Sequence, residues 1–334
     1  MVEHEKPSLR TKIYMIILKK SIFKRVFFIF EKLNHIVFHW DLRERTIKGS
    51  GENNNTYYVY RGAGKNDIAG LVGSYYLVGG VVYKALQLGQ IPYVDFQKYP
   101  CQYSVDRPIR GSLNAWEYYF KQPCETVREQ VYKGKRIILS GWKLYKSKQD
   151  ENILRQWCNL SRSERKDFFE KVMPVNRYLL DEVNKFYDKE IKDRNVLGVF
   201  LRGSDYTARK PIGHEVQPTV QQVEEKIDEF LRKYRIGRIF LVTEDADIFQ
   251  YLKDRYGEAI FCSDYYFVRF DASKDKWVKD AFNNDPYERG KNYLIRIMLL
   301  ARCKYYVGSK ASGSRFALDF SNYEDEYIFE LGVY

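Results

Sequence analysis

Val196-Leu197-Gly198-Val199-Phe200-Leu201-Arg202-Gly203-Ser204-Asp205 decides how the second half of the chain is read. The run up to Leu201 is short, continuous and rich in β-formers, the pattern of a strand buried on both faces. It ends in an arginine, a permissive glycine, a hydroxyl and a carboxylate. In an open parallel sheet, ligands lie outside the carboxyl ends of the strands. A guanidinium there presents a planar fork of donors matched to phosphate oxygens. Taken alone, the same four residues are also an ordinary strand end with a solvated Arg–Asp pair.

The chain beyond Asp205 alternates between helix and strand patterns. A helix is expected over 218–234, with Val220, Val223, Ile227, Phe230 and Leu231 on one face. A strand over 238–243, a helix over 246–256 stopped by Gly257, and a short strand over 260–262 come next. After a polar loop over 271–289, a helix is expected over 291–302 and a strand over 304–308. A Ser/Gly turn then leads into a helix from about Arg315. Strands alternating with helices imply βαβ units, an α/β fold and a parallel sheet. The segment has no GxGxxG, which disfavours a dinucleotide site of the usual kind.

A parallel sheet puts three polar strand ends along one edge. They carry Arg202, Ser204 and Asp205, then Thr243, Glu244 and Asp245, then Ser312, Gly313 and Ser314. The last set opens a helix, whose first-turn amides and hydroxyls suit phosphate oxygens. Arg202 supplies charge for the same group. Glu244 or Asp245 can accept from a ribose hydroxyl or a base N–H. A nucleoside diphosphate fits the combination, although a Ser/Gly helix start alone is a common cap.

The first half is less periodic. Residues 12–33 form an apolar stripe (Met15, Leu18, Ile22, Val26, Ile29, Leu33) with lysines opposite, a basic amphipathic helix. Such a helix suits an anionic membrane surface, packing on its own domain, or a dimer contact. A loop over 49–55, a strand over 57–60, a helix over 71–88 and a strand over 91–96 outline a first α/β unit. Gly73, Gly79 and Gly80 inside that helix imply close packing. Arg61-Gly62-Ala63-Gly64-Lys65-Asn66 is not a P-loop, since no Ser or Thr follows the lysine and no glycine stands five residues before Gly64. Asn114, Trp116 and Glu117 could cradle a sugar on the acceptor side, or belong to the core. A further strand is expected over 136–139, and 161–193 reads as a charged helical bridge. The expected organisation is a basic helical segment over 1–48, an acceptor-side α/β domain with its connecting helix over 56–190, and a nucleotide-binding domain over 195–334.

Composition narrows the function. The formal charge is +12, but half of that excess falls in the first 50 residues, most of it on the apolar helix. That is a charged appendage more than a basic groove with base-stacking aromatics, so nucleic acid is not the expected partner. The five cysteines are scattered without a CxxC, and the four histidines do not join them, which points to a reduced cytoplasmic protein without structural zinc. No apolar run reaches the roughly 18–20 residues needed to span a bilayer.

The three strand ends resemble a family. Gly198-Val199-Phe200-Leu201-Arg202-Gly203-Ser204-Asp205 resembles the first motif of fucosyltransferases of the α1,6, α1,2 and protein-O types, a strand whose Arg binds the donor diphosphate. Ile239-Phe240-Leu241-Val242-Thr243-Glu244-Asp245 resembles their second motif. Tyr293 to Ser314, including Ala301-Arg302-Cys303-Lys304-Tyr305-Tyr306-Val307-Gly308-Ser309, resembles the third. The resemblance covers about 195–320. It implies a GT-B fold, two Rossmann-like domains facing across a cleft, and an inverting, metal-independent glycosyltransferase using GDP-fucose or a related nucleotide sugar. Phe200 stands where the family places a histidine that helps contact the donor nucleotide, and Gly203 replaces the second arginine of the α1,6 doublet.

An inverting transfer needs a base for the acceptor hydroxyl and charge neutralisation on the leaving diphosphate. Arg202 is the candidate for the second task, helped by Ser312 and Ser314. For the base, His214 and Glu215 lie in the polar segment after Asp205, and His214 could instead support that loop. No cofactor and no metal are expected, although Asp245-Ala246-Asp247 keeps a DxD-like pattern in view. With no lumenal anchor or paired cysteines, the expected setting is the cytoplasmic face of a bacterial inner membrane. The expected role is in capsule, O-antigen or similar polysaccharide synthesis, on an oligosaccharide or lipid-linked glycan acceptor. The alternative is a non-catalytic nucleotide- or glycan-binding protein on the same fold.

Overall fold

The computed structural model describes residues 44–62, 69–141, 147–211, 213–275 and 277–334. The amphipathic helix expected over 12–33, with its membrane contact, and the Ala63–Asn66 part of the glycine-lined turn lie outside the described residues. In chain order the elements are β1 (Arg45–Lys48), β2 (Asn53–Tyr60), α1 (Leu71–Gln87), β3 (Ile91–Val94), α2 (Arg128–Tyr132) and β4 (Gly134–Leu139). Then come α3 (Lys148–Asn159), α4 (Arg162–Val172), α5 (Arg177–Glu190), β5 (Val196–Phe200), α6 (Ser204–Arg209), α7 (Val220–Tyr234), β6 (Arg238–Val242) and α8 (Ala246–Tyr256). The chain closes with β7 (Ile260–Phe261), α9 (Pro286–Leu300), β8 (Tyr305–Ser309), α10 (Ser312–Phe320) and β9 (Asp325–Phe329).

Two sheets result. The first runs β1-β4-β2-β3, with β2 parallel to both β3 and β4 and β1 antiparallel to β4. The second runs β7-β6-β5-β8-β9 and is parallel throughout. Numbered within itself, that second order is 3-2-1-4-5, the doubly wound arrangement, and the direction of winding reverses between β5 and β8. The α/β architecture with parallel sheets agrees with the GT-B expectation. Residues at the strand ends of both sheets line one cleft.

Local sequence explains the boundaries. Thr219 and Gln222 form a capping box that starts α7. Asp245 caps α8, and Gly257 ends it at a positive φ. The helix expected over 291–302 begins earlier, at Pro286, because Asp285 caps it and proline suits the first helical position. Within α1, a Cβ on Gly79 would stand 2.8 Å from the Phe169 and Trp157 rings, so the glycine permits the close packing expected for it. Several elements differ from expectation: β2 begins at Asn53, inside the loop expected over 49–55, and α3 has no expected counterpart. Residues 45–48, at the end of the expected N-terminal helical segment, are a strand of the first sheet. α6 begins at Ser204, in place of an uninterrupted polar loop. β9 has no counterpart in the sequence reading; its residues pair with every residue of β8.

The halves share one core. Val78, Val94 and Phe120 from the first half and Phe200, Phe240 and Phe316 from the second belong to one buried cluster. At its centre Tyr75 stacks on Phe120 at 4.3 Å and on Phe169 at 4.2 Å. Arg165 of α4 forks onto Asp319 of α10 through two 2.7 Å bonds, and Tyr76 of α1 donates to the same carboxylate at 2.6 Å. Among the described residues no helix is long and apolar enough to cross a membrane.

Candidate active site

The site grows from the loops after β5, β6 and β8. Gly203 follows β5 with no room for a side chain: a Cβ would stand 2.6 Å from Ile248 and 2.7 Å from Asp245 Oδ2. The crowding has a purpose in the local fold. Asp245 Oδ2 accepts from the Ser204 amide at 3.0 Å and its hydroxyl at 3.2 Å. Its Oδ1 accepts from the Asp247 and Ile248 amides at the start of α8, at 3.0 and 3.1 Å. One carboxylate thus clips the first loop to the second and holds Ser204 at φ +53°, a conformation that costs a non-glycine residue energy.

Arg202 projects from this clip into a cavity. Its guanidinium lies 4.0 Å over the Tyr206 ring. Nη2 stands 3.3 Å from Asp205 Oδ1, and Nε stands 3.6 Å from Glu244 Oε1. Burial works against the charge of Arg202, but Glu244 and then Asp205 outweigh it, so the guanidinium is held above its ordinary value. Burial is also the largest influence on Glu244 and raises its carboxyl above the usual range. The Arg202 charge opposes that without restoring it. Asp205 uses its other oxygen to accept from the Val278 amide at 3.2 Å, which ties the loop before α9 to the site.

The third strand end gives the start of α10. Ala311 precedes it in extended backbone, and no side chain caps the helix. Ser309 and Ser314 are occupied: the Ser309 hydroxyl donates to Gln217 Oε1 at 2.5 Å, and the Ser314 hydroxyl donates to the Ser309 carbonyl. Gly313 fits beneath Tyr293, whose hydroxyl would stand 2.7 Å from any Cβ there. Ser312, unlike Ser309 and Ser314, lines the cavity.

The cavity encloses about 1230 Å³ between the two sheets. Tyr60, Gly62, Ser140 and Gly141, at the ends of β2 and β4, line it from the first half. Arg202, Thr243, Glu244 and Ser312 line it from the second. Thr243 is engaged locally, its hydroxyl accepting from the Asp245 amide at 3.2 Å. Of the two base candidates, His214 lines the cavity and Glu215 does not. His214 Nδ1 is 3.1 Å from the Tyr206 hydroxyl. Glu215 instead pairs its backbone with Val333 as an isolated antiparallel bridge.

The expected residues therefore divide. Arg202, Asp205, His214, Thr243, Glu244 and Ser312 share one cavity. Ser204, Asp245, Gly313 and Ser314 shape its wall without lining it. The acceptor-side trio lies elsewhere, a correction to its expected place. Trp116 is 2% exposed, tilted on Phe120 at 4.7 Å, with its indole N–H donated to the Lys121 carbonyl. Asn114 brackets the end of β3, accepting from the Phe96 amide at 3.0 Å and donating to the Val94 carbonyl at 2.7 Å. Glu117 accepts from Ser112 and Gln122. The DxD-like pair is also engaged: Asp245 spends both oxygens on the clip, and Asp247 faces Arg269 at 3.0 Å.

Lys279, Arg289 and Arg315 also line the cavity. Two of them come from a polar loop and the helix start behind it, where no periodicity marks a functional position. Among the described residues none of the three has a carboxylate partner. Arg296, by contrast, is 7% exposed and forked onto Asp264, with further bonds to the Thr243 and Tyr266 carbonyls.

No family model and no curated relative matches the chain. Among solved structures, it is similar to the NodZ α-1,6-fucosyltransferase soaked with GDP-fucose, at 15% identity and a TM-score of 0.48 over 80% of this chain and 93% of that one. The fucosyltransferase NodZ from Bradyrhizobium is similar at 13% identity and 0.48, over 79% of this chain and 92% of that one. POFUT1 in complex with GDP-fucose is similar at 11% and 0.43, over 84% and 98%. At these values the similarity is one of general chain path, and no residue takes a role from it.

Proposed function

We propose that the protein is an inverting glycosyltransferase that moves a sugar from a nucleoside diphosphate donor to a hydroxyl of a glycan or glycolipid. GDP-fucose is the donor that the three sequence motifs imply. The observation that carries the reading is the convergence of Arg202 and Ser312. They follow β5 and β8, the strands that flank the reversal in winding, and they line the same cavity. That crevice is where doubly wound sheets bind nucleotides. The open amide end of α10 and Arg202 together offer donors and charge for a diphosphate.

The chemistry balances with residues present. The acceptor oxygen attacks the anomeric carbon from the face opposite the diphosphate. The carbon–oxygen bond to phosphate breaks, and the nucleoside diphosphate leaves with the electron pair. Arg202 and the α10 amides stabilise that charge, with Lys279 nearby on the loop held by Asp205. The acceptor proton passes to His214 Nε2, since Nδ1 is engaged with Tyr206. Because the cavity carries its own cations, we propose transfer without a metal ion. The setting we propose is synthesis of a surface polysaccharide such as capsule or O-antigen.

Calorimetry of the full chain against GDP, UDP, CDP and dTDP, with and without EDTA, tests the reading. The expected result is selective binding of GDP, unchanged by EDTA, lost in Arg202→Ala, and accompanied by transfer from the matching nucleotide sugar. Binding without transfer or hydrolysis would favour a non-catalytic role. No nucleotide binding would overturn the proposal.

A further inference from the structure

The cavity does not end at the nucleotide. Beyond Ser312 and Arg315 it continues as a trough along the seam where α1 packs on α3, with Gly80 against Trp157 and Leu154. Gly73, Tyr76, Leu77 and Gly80 form one wall, at the spacing that shares one helix face. Leu154, Trp157 and Cys158 form the other at the same spacing. The trough is apolar. The Tyr76 hydroxyl is spent on Asp319 at 2.6 Å. Leu77 is 42% exposed, an aliphatic side chain with a free face in a helix that buries most of its apolar residues. At the mouth Arg315 lies 4.5 Å over the Tyr76 ring, and no carboxylate among the described residues pairs with it.

An apolar channel with a cation at its entrance that no carboxylate among the described residues pairs with is complementary to an anionic amphiphile. We propose, resting on the transferase reading, that the acceptor is a sugar or glycan joined through phosphate to a hydrocarbon chain. Arg315 holds the phosphate, and Leu77, Leu154 and Trp157 hold the first part of the chain. A neutral lipid would leave Arg315 without a partner, and a free oligosaccharide would leave the trough unfilled. The wall from Gly73 to Gly80 rises about 10 Å along α1, room for roughly eight methylenes.

The test uses the full chain and alkyl monophosphates from butyl to dodecyl, each below its micelle threshold. Affinity by calorimetry should rise about fourfold per added methylene and level off near eight carbons. Octyl phosphate should protect the exposed thiol of Cys158 from a maleimide, read by peptide mass spectrometry, while leaving the reaction of Cys124, which does not line the cavity, unchanged. Arg315→Gln should weaken octyl phosphate at least tenfold. Leu77→Asp should remove the dependence on chain length. Affinity independent of chain length, equal binding of octanol and octyl phosphate, or unprotected Cys158 would each overturn the proposal, and the wild-type series decides this even if a variant fails to fold. Nucleotide binding is measured separately, so failure here leaves the transferase reading standing, and failure there is seen without alkyl phosphates.

Discussion

Arg202 Nε stands 3.6 Å from Glu244 Oε1, and neither atom has a hydrogen-bond partner among the described residues. Two buried polar atoms left facing each other just beyond bonding distance are costly, and they are poised for a third group to enter. In the proposed reaction that group is a phosphate oxygen on Arg202. The fold already raises the Glu244 carboxyl, chiefly through burial. A phosphate drawing on the Arg202 charge raises it further. A group whose pKa is raised by the ligand binds that ligand best when protonated, so affinity for a GDP-sugar should fall as pH rises through the Glu244 value. Proton uptake should accompany binding in a window that opens above the ordinary 4.5. Calorimetry in buffers of different ionisation enthalpy measures the uptake. Glu244→Gln should abolish it, and uptake unchanged in that variant would remove Glu244 from the linkage.

Asp245, an expected acceptor for ribose or base, has other work in the structure. Both oxygens serve the clip between Ser204 and the start of α8. Asp245→Ala should cost about 1–2 kcal/mol for the lost cap alone, and more if Ser204 relaxes from its strained backbone. Asp245→Asn keeps an acceptor for the cap and should recover part of that loss. Denaturant unfolding of the two variants separates the outcomes, and equal stability of Asp245→Ala and wild type would contradict the structural role.

These two carboxylates mark how far a sequence can be read. The parallel sheet is legible because buried strands are continuous apolar runs and their helices carry a 3.6-residue stripe. Arg202, Glu244 and Ser312 are legible because strand ends of such a sheet share an edge. Which way each side chain turns is not, since Asp245 and Glu244 are adjacent and differ only in partners brought from other elements. Trp116 illustrates the same limit: a large aromatic beside Asn and Glu suits a sugar or a core, and packing on Tyr75 and Phe120 decides for the core. β9 stays hidden because its sequence, Asp325-Glu326-Tyr327-Ile328-Phe329, is half polar and lies at the edge of the sheet.

Gly313 gives a prediction on the phosphate end of the site. A methyl there would meet the Tyr293 hydroxyl at 2.7 Å and the Ile297 and Phe200 side chains at 3.0 Å. These neighbours come from two elements of the core, so the start of α10 must move instead. Gly313→Ala should cost about 1–3 kcal/mol in stability and should weaken nucleotide binding beyond what its folded fraction explains. Calorimetry under conditions where the variant is fully folded checks the second effect. Undiminished binding would mean that the α10 amides do not hold the ligand.

His214 and Glu215 are adjacent in sequence and separated by the fold. The backbone between them is tied to the C-terminal residues: the Tyr334 amide donates to the His214 carbonyl at 3.0 Å and the Val216 amide to the Gly332 carbonyl at 2.9 Å. This pairing fixes which side chain reaches the cavity, and it is His214. If His214 takes the acceptor proton, His214→Ala should lower kcat by about 10²–10⁴ while GDP-sugar affinity stays within a few-fold of wild type. Glu215→Gln should leave kcat nearly unchanged. Tyr206→Phe frees Nδ1 and leaves the imidazole less firmly oriented, so it should lower kcat by less than His214→Ala. Steady-state kinetics with a fixed acceptor, set beside calorimetry of the donor, separates turnover from binding. A large kcat loss in Glu215→Gln with none in His214→Ala would reverse the assignment and require the segment held by the C-terminal residues to rearrange when substrate binds.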